Sequence, residues 1–197
     1  MTYKNTALFI GLFVALGFIG CNSNCDSLVF QPPEESAYIL PYPAGQICEL
    51  SLTYCSPRGH RNRLAYDIKM DIGQVVTTSR PGTVIEIKNN FSDSDHKPGH
   101  NNRVVIKHDD GSLAWYAHLQ QHSVIINMGE SLNYGDTLAR CGQSGRSGKI
   151  PHLHFEVFSS RLYDYSDAIP ITFSNIENPP DHKKALPIGV PFKALTY

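Results

Sequence analysis

The chain has 197 residues, 18% of them charged, and a formal net charge of -1 at pH 7. That length suits one domain with a sizeable core plus appended segments, and the near-zero charge offers no bulk electrostatic basis for holding nucleic acid. The 15 glycines and 13 prolines punctuate many short apolar runs, which predicts an all-β chain, mainly antiparallel sheet, rather than a helical one.

Residues 1–20 read as a signal peptide. Lys4 supplies a positive charge, and Ala7 to Gly20 is an uncharged apolar run, shorter than the ~20 residues of a comfortable membrane span. The run ends Phe18-Ile19-Gly20-Cys21, which resembles a bacterial lipobox, with Phe18 where leucine is usual. Cys21 is therefore the expected lipidation site and membrane attachment. Asn22 follows it in place of the aspartate that marks inner-membrane retention, which points to the outer membrane, facing the periplasm. Residues 21–36 form the anchor and a polar, Pro-containing tether.

Export makes the other cysteines readable. Cys25, Cys48, Cys55 and Cys141 allow two disulfides in three pairings. Cys48 and Cys55, flanking a strand-like stretch, are the favoured pair.

From residue 37 to 174 the chain reads as one β domain. Ala37–Gly45 is expected as an edge strand and turn, and Ile47–Tyr54 as a short strand. The turn Ser56-Pro57-Arg58-Gly59 delivers His60. Leu64–Met70 is a strand with Asp67 in its middle, an acidic residue that must be exposed, paired or bound to a cation. Turns at 71–73 and 80–82 lead into strands 74–78 and 83–88. Residues 89–102 form a long polar loop carrying His96 and His100, expected to be solvated, with a possible place in a substrate wall. Residues 103–119 predict a hairpin with Asp-Gly in its turn, and alternation puts Tyr116 and His118 on one face. Val124–Ile126 and Thr137–Cys141 are two more strands, and the Gly-rich stretch 142–148 feeds Pro151-His152-Leu153-His154-Phe155-Glu156-Val157. There His152 and His154 share a face, one rung apart, with Glu156 on the same side. Ile169–Phe173 is a last short strand, and 175–197 is a Pro-rich tail.

Two imidazoles on one strand face, with a second histidine strand and an upstream His and Asp, supply the nitrogen and oxygen ligands of a zinc site. The order of His60, Asp67, Tyr-Ala-His118-Leu, the Gly-rich loop and Pro-His152-Leu-His154-Phe-Glu resembles the lysostaphin/LytM-type zinc metallopeptidases, family M23, over roughly residues 56–159. Gly73, Gly82, Gly129, Gly135, Gly142 and Gly145 fall where that family has turn glycines. The resemblance implies a LytM, duplicated-hybrid-motif-like β domain with long surface loops, Zn²⁺ as cofactor, and peptidoglycan peptides as substrate. It makes His60, Asp67 and His154 the expected ligands, and His118 and His152 the expected catalytic pair. One departure concerns spacing: the commonest pattern has the first histidine four residues before the aspartate, and Arg63 stands there, with His60 seven before.

The chemistry is consistent with that set. Three protein ligands leave a fourth position for water, whose pKa falls towards ~7 on zinc. One further imidazole can take the proton and another can stabilise the oxyanion. Glu156 could orient an imidazole, and Tyr116 could donate to the oxyanion or simply pack. No serine sits in a nucleophile-elbow context. The competing readings are a non-catalytic LytM-like module that binds or activates another wall hydrolase, and a zinc carrier that would leave His118 and His152 unused.

Overall fold

A computed structural model describes residues 28–180 and 184–197. The short apolar runs between Gly- and Pro-bearing turns form ten strands: β1 (Ile47–Leu52), β2 (Ala65–Lys69), β3 (Val75–Thr77), β4 (Gly82–Lys88), β5 (Asn102–Lys107), β6 (Leu113–Leu119), β7 (Ser131–Leu132), β8 (Thr137–Arg140), β9 (His152–Phe158) and β10 (Pro191–Lys193). Eight pair into one sheet, in the order β10-β1-β2-β9-β6-β5-β4-β7, and β3 pairs with β8. Every pairing is antiparallel. Among the described residues the only helical pieces are two short 3₁₀ turns, Pro33–Glu35 and Tyr165–Asp167, and no helix is long and apolar enough to cross a membrane. The all-β, antiparallel reading of the sequence therefore holds.

Strand β9 lies inside the large sheet between β2 and β6, and every one of its residues is buried. Its two faces differ in chemistry. On one, Tyr66, Phe155 and Tyr116 stand opposite one another across the three strands, all with 1% exposure or less. Tyr54 and Phe173 close over this rung. Each such ring removed from water contributes about 1.5–3 kcal/mol, so this aromatic layer anchors the sheet's centre. The other face carries the rungs Ala65–Glu156–Trp115 and Asp67–His154–Ala117. Polar groups are held there above a rigid apolar floor.

Several segments depart from the sequence reading. Ala37–Gly45 is extended but no strand; Tyr38, Ile39, Leu40 and Tyr42 are buried. Its backbone bonds go singly to Ser79 O and the Asn175 side chain, because Pro41 and Pro43 cannot donate to a ladder. Val124–Ile126 and Ile169–Phe173 likewise form isolated bonds instead of strands. The tail folds back, with β10 pairing β1 and Phe192 and Ala194 buried.

The favoured Cys48–Cys55 disulfide is not formed. Cys48 and Cys141 are free and buried, and Cys55 is disulfide-bonded. The reason is reach: a strand rising ~3.3 Å per residue separates residues seven apart by well over the ~7 Å that a disulfide tolerates. Cys21 and the apolar run before it also lie outside the described residues.

Candidate metal centre

Register alone brings Asp67 and His154 together, since they are direct partners across β2 and β9. Asp67 Oδ1 lies 2.8 Å from His154 Nδ1 and 3.2 Å from His60 Nε2. These three ligand atoms lie within 4.8 Å of one another, and all three residues are buried. Ligands held ~2.1 Å from a tetrahedral ion stand roughly 3.4 Å apart, so the cluster has the dimensions to hold one.

The seven-residue spacing is absorbed by local turns. Arg63 N–H donates to His60 O at 3.0 Å, closing a turn in which Asn62 takes φ 61°, a conformation asparagine tolerates. Cys55 N–H donates to Arg63 O at 2.9 Å, which ties the loop's ends together. His60 thus reaches Asp67 despite the longer connection.

Hydrogen bonds select which nitrogen each ring presents. His60 Nδ1–H donates to Thr53 O at 3.1 Å, His118 Nδ1–H to Ser144 O at 2.7 Å, and His152 Nδ1–H to Ile150 O at 2.8 Å. His118 and His152 therefore keep an Nε2 lone pair, whereas His60 Nε2 faces Asp67 Oδ1. His154 is reversed: Nδ1 faces Asp67, and Nε2 lies 3.0 Å from Arg63 Nη2 and 3.3 Å from Glu156 Oε2. Burial opposes ionisation of Asp67, but hydrogen bonds from His154 and His60 outweigh it and hold the carboxyl well below the usual carboxylate range. Burial, reinforced by His152 and His154 nearby, pushes His118 down to about 3. Burial likewise lowers His152.

His118 reaches this face against the alternation of its strand. Tyr116 sits on the opposite face, its ring 5.0 Å from Phe155 and its hydroxyl accepting from Ser79 N–H at 2.9 Å. The expectation that Tyr116 and His118 share a face is therefore wrong, and Tyr116 is a core residue. The β5–β6 register pairs Asn102 with Leu119 but Arg103 with Ala117, leaving His118 as the extra residue of a β-bulge. His118 has φ 63° there, a left-handed conformation costing a non-glycine residue about 1 kcal/mol or more. The bulge turns its ring to within 4.7 Å of the His152 ring and 5.9 Å of the His154 ring.

Glu156 shares the His154 face as alternation requires, and it is held by a residue that sequence reasoning did not single out. Arg63 Nη2 donates to Glu156 Oε2, and the guanidinium lies 4.2 Å from the Tyr165 ring centroid and 5.7 Å from that of Trp115. The only hint in the sequence was its position four residues before Asp67.

With this geometry in view, the model of peptidase family M23 matches residues 61–165. The chain belongs to peptidase family M23. The match begins one residue after His60, so the loop just described lies at its edge. A catalytic-domain mutant of the prophage-encoded M23 protein EnpA from Enterococcus faecalis is 20% identical over 66% of this chain and 93% of that one, with a TM-score of 0.52. Lysostaphin from Staphylococcus simulans is 23% identical over 62% of this chain and 47% of its own, with a TM-score of 0.50. Both share the fold. A zinc-containing peptidase from Vibrio cholerae is 26% identical over 63% of this chain, with a TM-score of 0.45, and the matched region spans only 37% of that protein. No curated protein matches the chain.

Beside the cluster, this M23 domain carries a cleft of about 430 Å³. His118 and His154 form part of its wall, together with arginines and aromatic residues. The long loop 89–102 contributes Pro98, Gly99 and Asn101 to that wall, whereas His96 and His100 do not line it. Instead His100 is half-buried, stacks on Phe91 and bonds Asp95 at 2.7 Å.

Proposed function

We propose that this chain is a zinc-dependent endopeptidase that cleaves peptide bonds in peptidoglycan. The observation that carries the reading is the convergence of His60 Nε2 and His154 Nδ1 on Asp67 Oδ1, with the second nitrogen of each ring engaged elsewhere. Nitrogen and carboxylate donors in a buried three-residue set suit zinc at a catalytic site. Glu156 would fix the ligating form of His154 by accepting from Nε2–H. When bound, the ion supplies a Lewis acid that brings a water's pKa towards ~7 and polarises a carbonyl.

The remaining work falls to His118 and His152. Both are neutral near pH 7, and both present Nε2 as an acceptor because Nδ1–H is given to a backbone carbonyl. Either can take a proton at Nε2 from the attacking water and return it to the leaving amine. Once protonated, the same Nε2–H can donate to the developing oxyanion. The backbone carbonyls of Ser144 and Ile150 keep both rings aimed throughout. A non-catalytic binding module or a zinc carrier needs no such pair of oriented bases, which favours the enzyme.

The apolar run and Cys21 support export and lipid anchoring at the outer membrane, facing the periplasm. The test is zinc content of the purified protein and its His60→Ala variant, followed by peptidoglycan digestion. One zinc per wild-type chain, lost in the variant together with digestion, is the expected outcome. Zinc retained by the variant removes His60 as a ligand, and no zinc in either protein refutes the reading.

A further inference from the structure

Three arginines line the cleft beside the metal cluster, Arg63, Arg103 and Arg146, and among the described residues no acidic side chain lines it. Two of the charges are neutralised within the protein. Arg63 pairs with buried Glu156, and Arg103 Nε donates to Glu86 at 2.7 Å with its guanidinium 5.5 Å from the Tyr163 ring centroid. Arg146 is exposed and has no carboxylate partner among the described residues. The cleft therefore carries one uncompensated positive charge in a chain whose net charge is -1.

Arg146 is also tied rigidly to the reacting groups. It lies two residues after Ser144, whose carbonyl holds His118 Nδ1–H. Ser144 Oγ donates to Leu119 O at 2.8 Å and accepts from Asn102 N–H at 3.0 Å. Gly145 N–H donates to Asp95 O at 2.7 Å, and Ser147 Oγ to Gln143 O at 2.8 Å. A Cβ on Gly145, which has φ 72°, would lie 2.8 Å from Asn101 N, so the loop packs directly on its neighbour. The side chain of Arg146 thus springs from a backbone fixed on both sides, by Ser144 and Ser147. Trp115 also lines the cleft, and its buried indole N–H has no acceptor among the described residues. An anionic group entering the cleft would meet a free guanidinium before an aromatic wall, the arrangement suited to a carboxylate.

We propose that Arg146 is the specificity-determining residue of this cleft and binds a carboxylate on the substrate peptide next to the scissile bond. The substrate is then an acidic peptide rather than a chain of uncharged residues. The inference rests on the peptidase reading for its meaning, but binding can be read without catalysis, because Trp115 is the chain's single tryptophan and its fluorescence reports occupancy. The probe is a purified cross-linked muropeptide, in its native carboxylate form and after conversion of its carboxylates to carboxamides. Both are titrated against the full chain and its Arg146→Met and Arg146→Lys variants, with zinc content measured in parallel.

The wild type is expected to bind the carboxylate form about 10–100-fold more tightly than the amide, the range for one charge-assisted pair. Arg146→Met should abolish that preference by weakening only the carboxylate form, and Arg146→Lys should restore part of it. In turnover, the loss should fall on KM with kcat unchanged. Equal affinity for the two forms, equal weakening of both by Arg146→Met, or no binding by the wild type overturns the proposal. Charge-selective binding by a chain that takes up no zinc would sustain the subsite and sink the peptidase reading.

Discussion

Replacing Arg63 by methionine tests how the cluster is supported. Glu156 has a fully buried side chain. Its Oε1 has no hydrogen-bond partner among the described residues, and its Oε2 is shared between Arg63 and His154. Burial opposes ionisation of this carboxyl, yet hydrogen bonding and charge from His154, with the charge of Arg63, hold it below the usual glutamate range. Arg63→Met keeps an apolar stem against Tyr165 and Trp115 but strands the carboxylate. Breaking a buried pair in this way costs about 3–5 kcal/mol, a large share of the ~5–15 kcal/mol that holds a domain together. Adding Glu156→Gln removes the stranded charge, leaving about 1–3 kcal/mol for an imperfectly paired amide. Urea unfolding with chelator present, followed by Trp115 fluorescence, measures all four corners of the cycle. A single variant within 1 kcal/mol of wild type, or additive losses in the double variant, would refute the account of Arg63 as the counter-charge of Glu156.

Two other perturbations follow from the geometry. His118 occupies the left-handed region at φ 63°, so His118→Gly should be about 1 kcal/mol more stable than His118→Ala although glycine packs less. In thermal melts that gap is roughly 2–4 °C for a chain of this size, and an alanine variant melting higher would contradict the bulge. His108 is buried; it donates Nδ1–H to Pro81 O at 2.7 Å and leaves Nε2 without a partner among the described residues. Burial lowers its pKa below the ordinary 6.5, so the unfolded chain takes the proton first. Stability attributable to His108 is then complete above about pH 6.5 and falls as pH drops towards the lowered folded value, by up to ~1.4 kcal/mol per unit. His108→Asn should flatten the stability profile by about one proton below pH 6.5, and an unchanged slope would show that His108 does not titrate on unfolding.

What the sequence determined by itself is what depends on local periodicity. Alternation in Pro151–Val157 was enough to place His152, His154 and Glu156 on one face, and Asp-Gly between two β-rich runs was enough for the β5–β6 hairpin. An aspartate in the middle of the Leu64–Met70 run left three outcomes open, exposure, pairing or a bound cation, and the structure buries it between His60 and His154. Tertiary structure decided whatever depends on register between strands or on loops closing on one another. Alternation placed His118 with Tyr116, and only the mismatch of β5 against β6 inserts the bulge that turns His118 towards His152. The spacing of His60 looked anomalous in one dimension because a turn closed by Arg63 N–H has no periodic signature. The pairing of Arg63 with Glu156, 93 residues apart, follows from strand β9 lying against β2. A local pattern can say which way a side chain points along its own strand; which groups meet across strands is set by pairings whose energy is not local.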